Sequence, residues 1–245
     1  MNVRLTLRTA GRVLRQLRND HRTVALMLVV PCVLLGLLAW VFNATPMVFD
    51  RIGPALLGVF PMVVMFIVTS VATLRERTGG TLERLLTTPI AKGDFMGGYA
   101  IAFGIMATLQ ALIATAFSVW VAGLNVQGSL WLLVLVAIAD AMLGTALGLL
   151  ASGFARTEFQ AVQFMPAFIL PQFLLCGLLV ARDAMPTVLA DLSDVLPLSY
   201  AVDAMKSIAT NANGSGDVVK DLGIILAWIV VSLLLGSLTL RRRTE

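Results

Sequence analysis

Six stretches of the chain read as continuous apolar runs rather than as alternating or one-faced patterns. They are residues 23–43, 53–74, 97–123, 130–152, 159–180 and 222–240. Each is about 20 residues long, the length a helix needs to cross a hydrocarbon core, and Asp140 is the only charge within any of them. The pattern predicts an all-α polytopic membrane protein with six transmembrane helices. Residues 1–22 read differently. Val3, Leu7, Ala10, Leu14 and Leu17 recur at spacings of three and four, and arginines occupy most of the remaining circumference, as expected of an amphipathic helix lying in a membrane interface. An unstructured basic anchor is the plainer alternative. Residues 181–221 are too long for a turn and carry two further stripes. The first is Val188, Leu189, Leu192, Val195 and Leu196, with Pro186 suited to a first helical position and Pro197 to a stop. The second is Leu198, Ala201, Val202, Met205 and Ile208. These predict two short helices on the outer side, re-entrant or interfacial.

Composition agrees with the pattern: 58% of residues are hydrophobic and 13% charged, against roughly a quarter charged in a soluble domain. The formal charge of +4 does not point to nucleic acid, because the basic residues sit at the edges of the apolar runs, where they orient helices. One set of segments holds Arg4, Arg8, Arg12, Arg15, Arg18, Arg22, Arg75, Arg77, Arg84, Lys92, Arg156 and Arg241, Arg242 and Arg243. The opposite set holds Arg51, Arg182, Lys206 and Lys220. The asymmetry predicts a multi-pass cell-membrane protein with both termini cytoplasmic. The first run is longer than the apolar core of a secretory signal and no A-x-A site follows it, so it is expected to be retained.

The chemistry is sparse. There is no G-x-x-x-x-G-K-[ST] loop to cradle nucleotide phosphates, no H-E-x-x-H and no Cys/His cluster. The chain is expected to be neither an enzyme nor the holder of a metal or cofactor, and any ATP and magnesium would sit on a partner. His21 reads as an interfacial residue, and Cys32 and Cys176 as small apolar side chains within spans. Asp140 lies near the middle of the fourth run and Gln110 near the middle of the third. An ionisable group at that depth is costly and usually functional or paired. Asp140 either lines a substrate path or, protonated, joins a helix–helix hydrogen bond, with Gln110 as a partner; we take the second reading. Pro166 and Pro171 are expected to kink the fifth span, and Gln163 and Gln172 on it face a cavity or form a polar seam. Gly144 and Gly148 form a G-x-x-x-G, which permits close helix packing.

Residues 75–97 are the most informative segment. Gly79 and Gly80 break the chain, residues 81–86 make a short helix candidate with apolar Leu82, Leu85 and Leu86, and Thr88 before Pro89 looks like the cap of another helix. Apolar teeth on a charged scaffold suit the docking of a soluble partner; a solvated loop with its leucines on the bilayer is the alternative. The string E-R-T-G-G-T-L-E-R-L-L-T-T-P-I, residues 76–90, closely resembles the cytoplasmic coupling segment of the type-2 ABC exporter permease family. F-A-R-T-E-F-Q-A-V-Q-F-M-P at 154–166 and L-P-L-S-Y-A-V-D-A-M at 196–205 extend the resemblance over essentially the whole chain. Lys206 departs from the arginine frequent there.

The resemblance implies one transmembrane domain over residues 1–245, drug-exporter-like. It comprises an interfacial helix (1–22), a coupling segment (75–97) and an outer re-entrant segment (181–221). It implies a dimer of permeases, homo- or heteromeric, each bound to a separate cytoplasmic ABC ATPase through Glu76, Arg77, Gly80, Thr81, Leu82, Glu83, Arg84, Leu85, Leu86 and Pro89. The expected cargo is a hydrophobic or amphiphilic, drug-like small molecule. Lipid-linked glycan and sodium are alternatives within the family, and a gradient-driven transporter using Asp140 is one outside it.

Overall fold

A computed structural model describes residues 2–79, 92–211 and 215–239. All elements among them are helical: α1 (Val3–Asn19), α2 (His21–Val41), α3 (Pro46–Thr78), α4 (Lys92–Trp120), α5 (Leu130–Phe154), α6 (Glu158–Leu175), α7 (Thr187–Val195), α8 (Pro197–Thr210) and α9 (Ser215–Thr239), with a 3-10 turn at Arg182–Ala184 before α7. The all-α expectation holds. Five of these helices, α2, α3, α4, α5 and α9, are long and apolar enough to cross a membrane. The expected fifth span is the shorter one. α6 has 18 residues, about 27 Å at 1.5 Å per residue, and stops at Leu175 instead of continuing to 180. Glu158, Gln160, Gln163 and Gln172 dilute its apolar character, and Gly177, at φ +79°, turns the chain just beyond it.

Local chemistry sets the helix ends. The Asn2 side chain accepts from the Arg4 amide to start α1. Asp20 then ends α1 and caps α2, accepting from the Thr23 amide at 3.1 Å and the Thr23 hydroxyl at 2.6 Å. Those two bonds hold the Asp20 carboxyl below its ordinary pKa. Pro46, whose fixed φ suits a first helical position, opens α3. That helix runs 33 residues, past its apolar stretch into Arg75, Glu76 and Arg77, and ends at Gly79.

α3 and α5 form the centre and make the most extensive helix–helix contact. A Cβ at Gly144 would collide with the Met62 carbonyl, and one at Gly148 would lie 2.6 Å from the Phe66 carbonyl oxygen. The G-x-x-x-G is therefore the closest part of the central seam. The other helices surround it. Leu26, Val29, Val33 and Leu37 on α2, Ile101, Ile105, Leu109 and Leu112 on α4, and Leu226, Val230 and Leu234 on α9 are all exposed. Such an apolar circumference is solvated by lipid and not by water.

The two ends differ. Arg12, Glu76, Asp94, Ser152, Glu158 and Thr239 gather at one, joined by contacts among α1, α3, α4, α5, α6 and α9. At the other, the Gln127 and Gly128 amides donate to the Ala209 and Ile208 carbonyls, and the Asn125 amide donates to Asp50. Trp40, Trp120 and Trp131 stand exposed near this second end, as in an interfacial aromatic belt.

The two stripes of the 181–221 segment have opposite fates. On α8, Leu198, Ala201, Val202, Met205 and Ile208 are buried against α3, α5, α6 and α9. On α7, Val188, Leu189, Leu192 and Val195 remain exposed. Pro186 caps α7 instead of entering it, and Pro197 begins α8 as well as ending what precedes it. The α1 stripe is also rotated. Thr6, Thr9, Ala10, Val13 and Leu17 are the buried face, and Val3 and Leu7 point outward.

Candidate functional site

The arginine-rich end is the first candidate. Glu76, in the last turn of α3, receives Arg12 at 3.2 and 3.3 Å and Gln16 at 2.7 Å from α1. The second nitrogen of Arg12 donates to the Tyr99 hydroxyl at 3.2 Å, and Tyr99 stacks on Phe95 at 4.4 Å between ring centres. Arg77 donates to the Ser152 and Gly153 carbonyls. It thereby satisfies groups left open at the C-terminus of α5 and favours the negative end of that helix. Arg75 holds Glu158 bidentately at 2.8 and 2.9 Å, an exposed pair worth under about 1 kcal/mol.

Glu76 and Arg77 thus occupy the base of the expected coupling segment. Gly80, Thr81, Leu82, Glu83, Arg84, Leu85, Leu86 and Pro89 lie outside the described residues, which bear on those expectations only through the helix end at Gly79. Beside this base, Val13, Leu17, Leu26, Val68, Val71 and Phe103 wall a cleft of about 430 Å³, with Asp20, Arg75 and Glu76 at its polar margin.

The four polar residues within the spans are not brought together. Gln110 donates to the Met27 carbonyl at 2.8 Å. Residue 31, four positions after Met27, is proline and has no N–H, so Gln110 supplies the donor that Pro31 removes. Gln172 donates to the Phe168 carbonyl at 2.9 Å and accepts from the Leu198 amide at 3.4 Å, tying α6 to α8. Gln163 is exposed on α6.

Asp140 does not meet Gln110, which corrects the expected pairing. Its carboxyl is completely buried and neither oxygen has a hydrogen-bond partner among the described residues. It packs on Gly58, where a Cβ would lie 2.8 Å from Oδ2, with Met205 of α8 alongside. Gly58 is the space that the carboxyl fills, and sequence reasoning missed it because the two positions are 82 residues apart. Asp140→Asn is isosteric and should keep this fit. It is expected to assemble normally and to retain more than about half of wild-type transport, since a buried site without partners favours a neutral group in either case. Abolished transport in a normally assembled variant would instead mark Asp140 as an ion or cargo contact.

The outer end carries a second polar cluster. Arg182 pairs with Asp194 and Asp203. Lys206 donates to the Gly177 carbonyl at 2.6 Å, and the Tyr200 hydroxyl donates to the Asp194 carbonyl. Together they tie the chain after α6 to α7 and α8. Lys206, the departure from the resembled pattern, has a defined structural role here.

Comparison with known proteins matches residues 5–209 to the model of the ABC-2 type transporter family. The chain is 30% identical over 175 residues to the "Probable multidrug ABC transporter permease YbhR" of Escherichia coli K12, covering 71% of this chain and 45% of that protein. It is 27% identical over 205 residues to the "Probable multidrug ABC transporter permease YbhS" of the same organism, covering 83% and 54%. It is 24% identical over 168 residues to the "Linearmycin resistance permease protein LnrN" of Bacillus subtilis, covering 69% and 43%. The chain spans about half the length of these relatives. The family match covers most of the described bundle, including the central α3–α5 seam, the base of the coupling segment and α8. This chain is a multi-pass membrane protein belonging to the ABC-2 type transporter family.

Proposed function

We propose that this chain is the permease subunit of an ATP-driven exporter that moves a hydrophobic or amphiphilic small molecule out of the cytoplasm. It would work as a dimer, with a separate ATPase seated on residues 75–97 and supplying ATP and magnesium. The observation that carries this reading is the convergence of α1, the end of α3 and the start of α4 at the arginine-rich end, around the segment whose wording resembles a coupling segment. The cargo class follows from the multidrug and linearmycin-resistance names of the relatives. ATP depletion is expected to stop efflux, and a protonophore at unchanged ATP to leave it running. The reverse result supports a gradient-driven carrier, for which the buried carboxyl of Asp140 is the feature to pursue.

The proposed topology has six crossings, both termini cytoplasmic and α8 re-entrant. α6 supports the sixth crossing, since Glu158 at its start contacts Arg75 at the arginine-rich end and the chain beyond it contacts Lys206 at the other. The arginine asymmetry supports the orientation, and the burial of α8 against α3 and α5 supports re-entry. Cysteine probes test it in sealed cells. Gln127→Cys should label from outside and Arg156→Cys should not; the opposite pattern inverts the orientation. Both native side chains are exposed, whereas a side chain at Gly128 would strike the Ile208 carbonyl.

A further inference from the structure

We propose that α1 is a strut that locks together the two stems flanking residues 80–91, so that α3 and α4 move as one body when that segment is displaced. The inference rests on the reading of residues 75–97 as the seat of an ATPase. It starts from the two anchor points. Glu76 stands four residues before Gly80, and Asp94 stands three residues after Ala91. α1 grips both. At one end the Asn2 amide donates to Asp94 Oδ1 at 2.6 Å and the Thr6 hydroxyl donates to the same oxygen at 3.4 Å. At the other, Arg12 and Gln16 donate to the Glu76 carboxylate at 2.7 to 3.3 Å. Between the anchors Thr9 lies against Gly98, where a Cβ would sit 2.6 Å from the threonine Cβ, so α1 and α4 are in close backbone approach along the way.

The gripping residues share one face. Asn2, Thr6, Thr9, Val13 and Gln16 are spaced four, three, four and three apart, a single helical stripe. Arg12 flanks it. From Asn2 to Gln16 the helix covers about 20 Å, and one unbroken hydrogen-bonded helix over that length transmits a push instead of absorbing it. The stripe explains the rotation of α1. Thr6 turns inward to the Asp94 carboxylate, Thr9 packs on Gly98 while its hydroxyl donates to the Leu5 carbonyl, and Gln16 at the exposed end of the stripe reaches Glu76. Asp94 is 2% exposed, and a carboxylate at that depth requires hydrogen-bond donors, of which the Asn2 amide is one. A helix serving only as a membrane anchor would need no contact with either stem. Arg12 and Thr6 are therefore positioning residues for coupling.

The test uses full-length permease with its ATPase in lipid nanodiscs, and nitroxide pairs at Arg15 and Thr78 in a Cys32→Ala, Cys176→Ala background. Arg12→Glu is expected to broaden the nitroxide distance distribution. It should also lower cargo moved per ATP hydrolysed by about tenfold, the effect of losing one charged hydrogen-bonded contact, while the ATPase still copurifies. The swap Arg12→Glu with Glu76→Arg should restore both readings. If charge reversal lowers the yield, Arg12→Gln with Thr6→Val gives the same two readings. An unbroadened distribution overturns the strut, and so does unchanged cargo per ATP in a broadened variant. If even the wild-type chain retains no ATPase, the ATP-driven reading falls. The distance measurement then decides the strut alone: broadening by Arg12→Glu and restoration by the swap keep it.

Discussion

Gly144→Leu should prevent stable assembly of the bundle. The position faces the Met62 carbonyl so closely that even a methyl group collides with it. The obstacle is backbone within a long helix, which cannot rotate away as the tip of a side chain can. Relief requires α5 to separate from α3, and with it the seam through Gly148 and Phe66 that centres the fold. Overpacking costs about 1 to 3 kcal/mol where neighbours can adjust, and the upper end or more is expected here. Gly144→Ala should already lower the melting temperature. Gly223→Leu in α9 is the matched control, because nothing lies within 4 Å of its Cβ position. The measurement is the yield and thermal stability of detergent-solubilised protein. Gly144→Leu melting with Gly223→Leu would show that the central seam does not depend on close approach.

Leu82→Ala combined with Leu85→Ala should release the ATPase while leaving the membrane helices folded. Leu82, Leu85 and Leu86 share one side of the expected short helix, with Glu83 and Arg84 toward the rest of the circumference. Apolar side chains on a cytoplasmic tip require burial, and a cleft in a partner provides it. Burying one leucine contributes about 2 kcal/mol, so losing two would weaken docking by about a thousandfold. Glu83→Lys should act more mildly, since a charge pair at a wet rim is screened. Copurification of the ATPase, read with cargo efflux, checks the prediction. A double variant that holds its ATPase at wild-type strength and pumps normally would reduce residues 80–91 to a linker.

The two variants divide along the line between what the chain shows by itself and what its packing decides. Asp50 and Arg51 interrupt the apolar pattern and hid the true start of α3, which extends back to Pro46. Gly79 marked the end of that helix correctly. The break at Gly79 and the prolines that bound the outer helices were legible because they are local, although Pro186 caps α7 instead of entering it. They depend on neighbours in sequence.

Tertiary structure alone placed Gln110 on the Met27 carbonyl, left Asp140 without a partner against Gly58, turned the α8 stripe inward and the α7 stripe outward, and rotated α1 toward Glu76 and Asp94. The reason is the solvent. Lipid is as apolar as a protein core, so the buried and lipid-facing sides of a spanning helix carry the same residue types, and no periodicity separates them. By itself the sequence determined how many long apolar runs exist, where they stop and which of their flanks are basic. Which faces of those helices meet was decided by steric fit between glycines and backbone carbonyls, and by buried polar groups finding donors or acceptors far away along the chain.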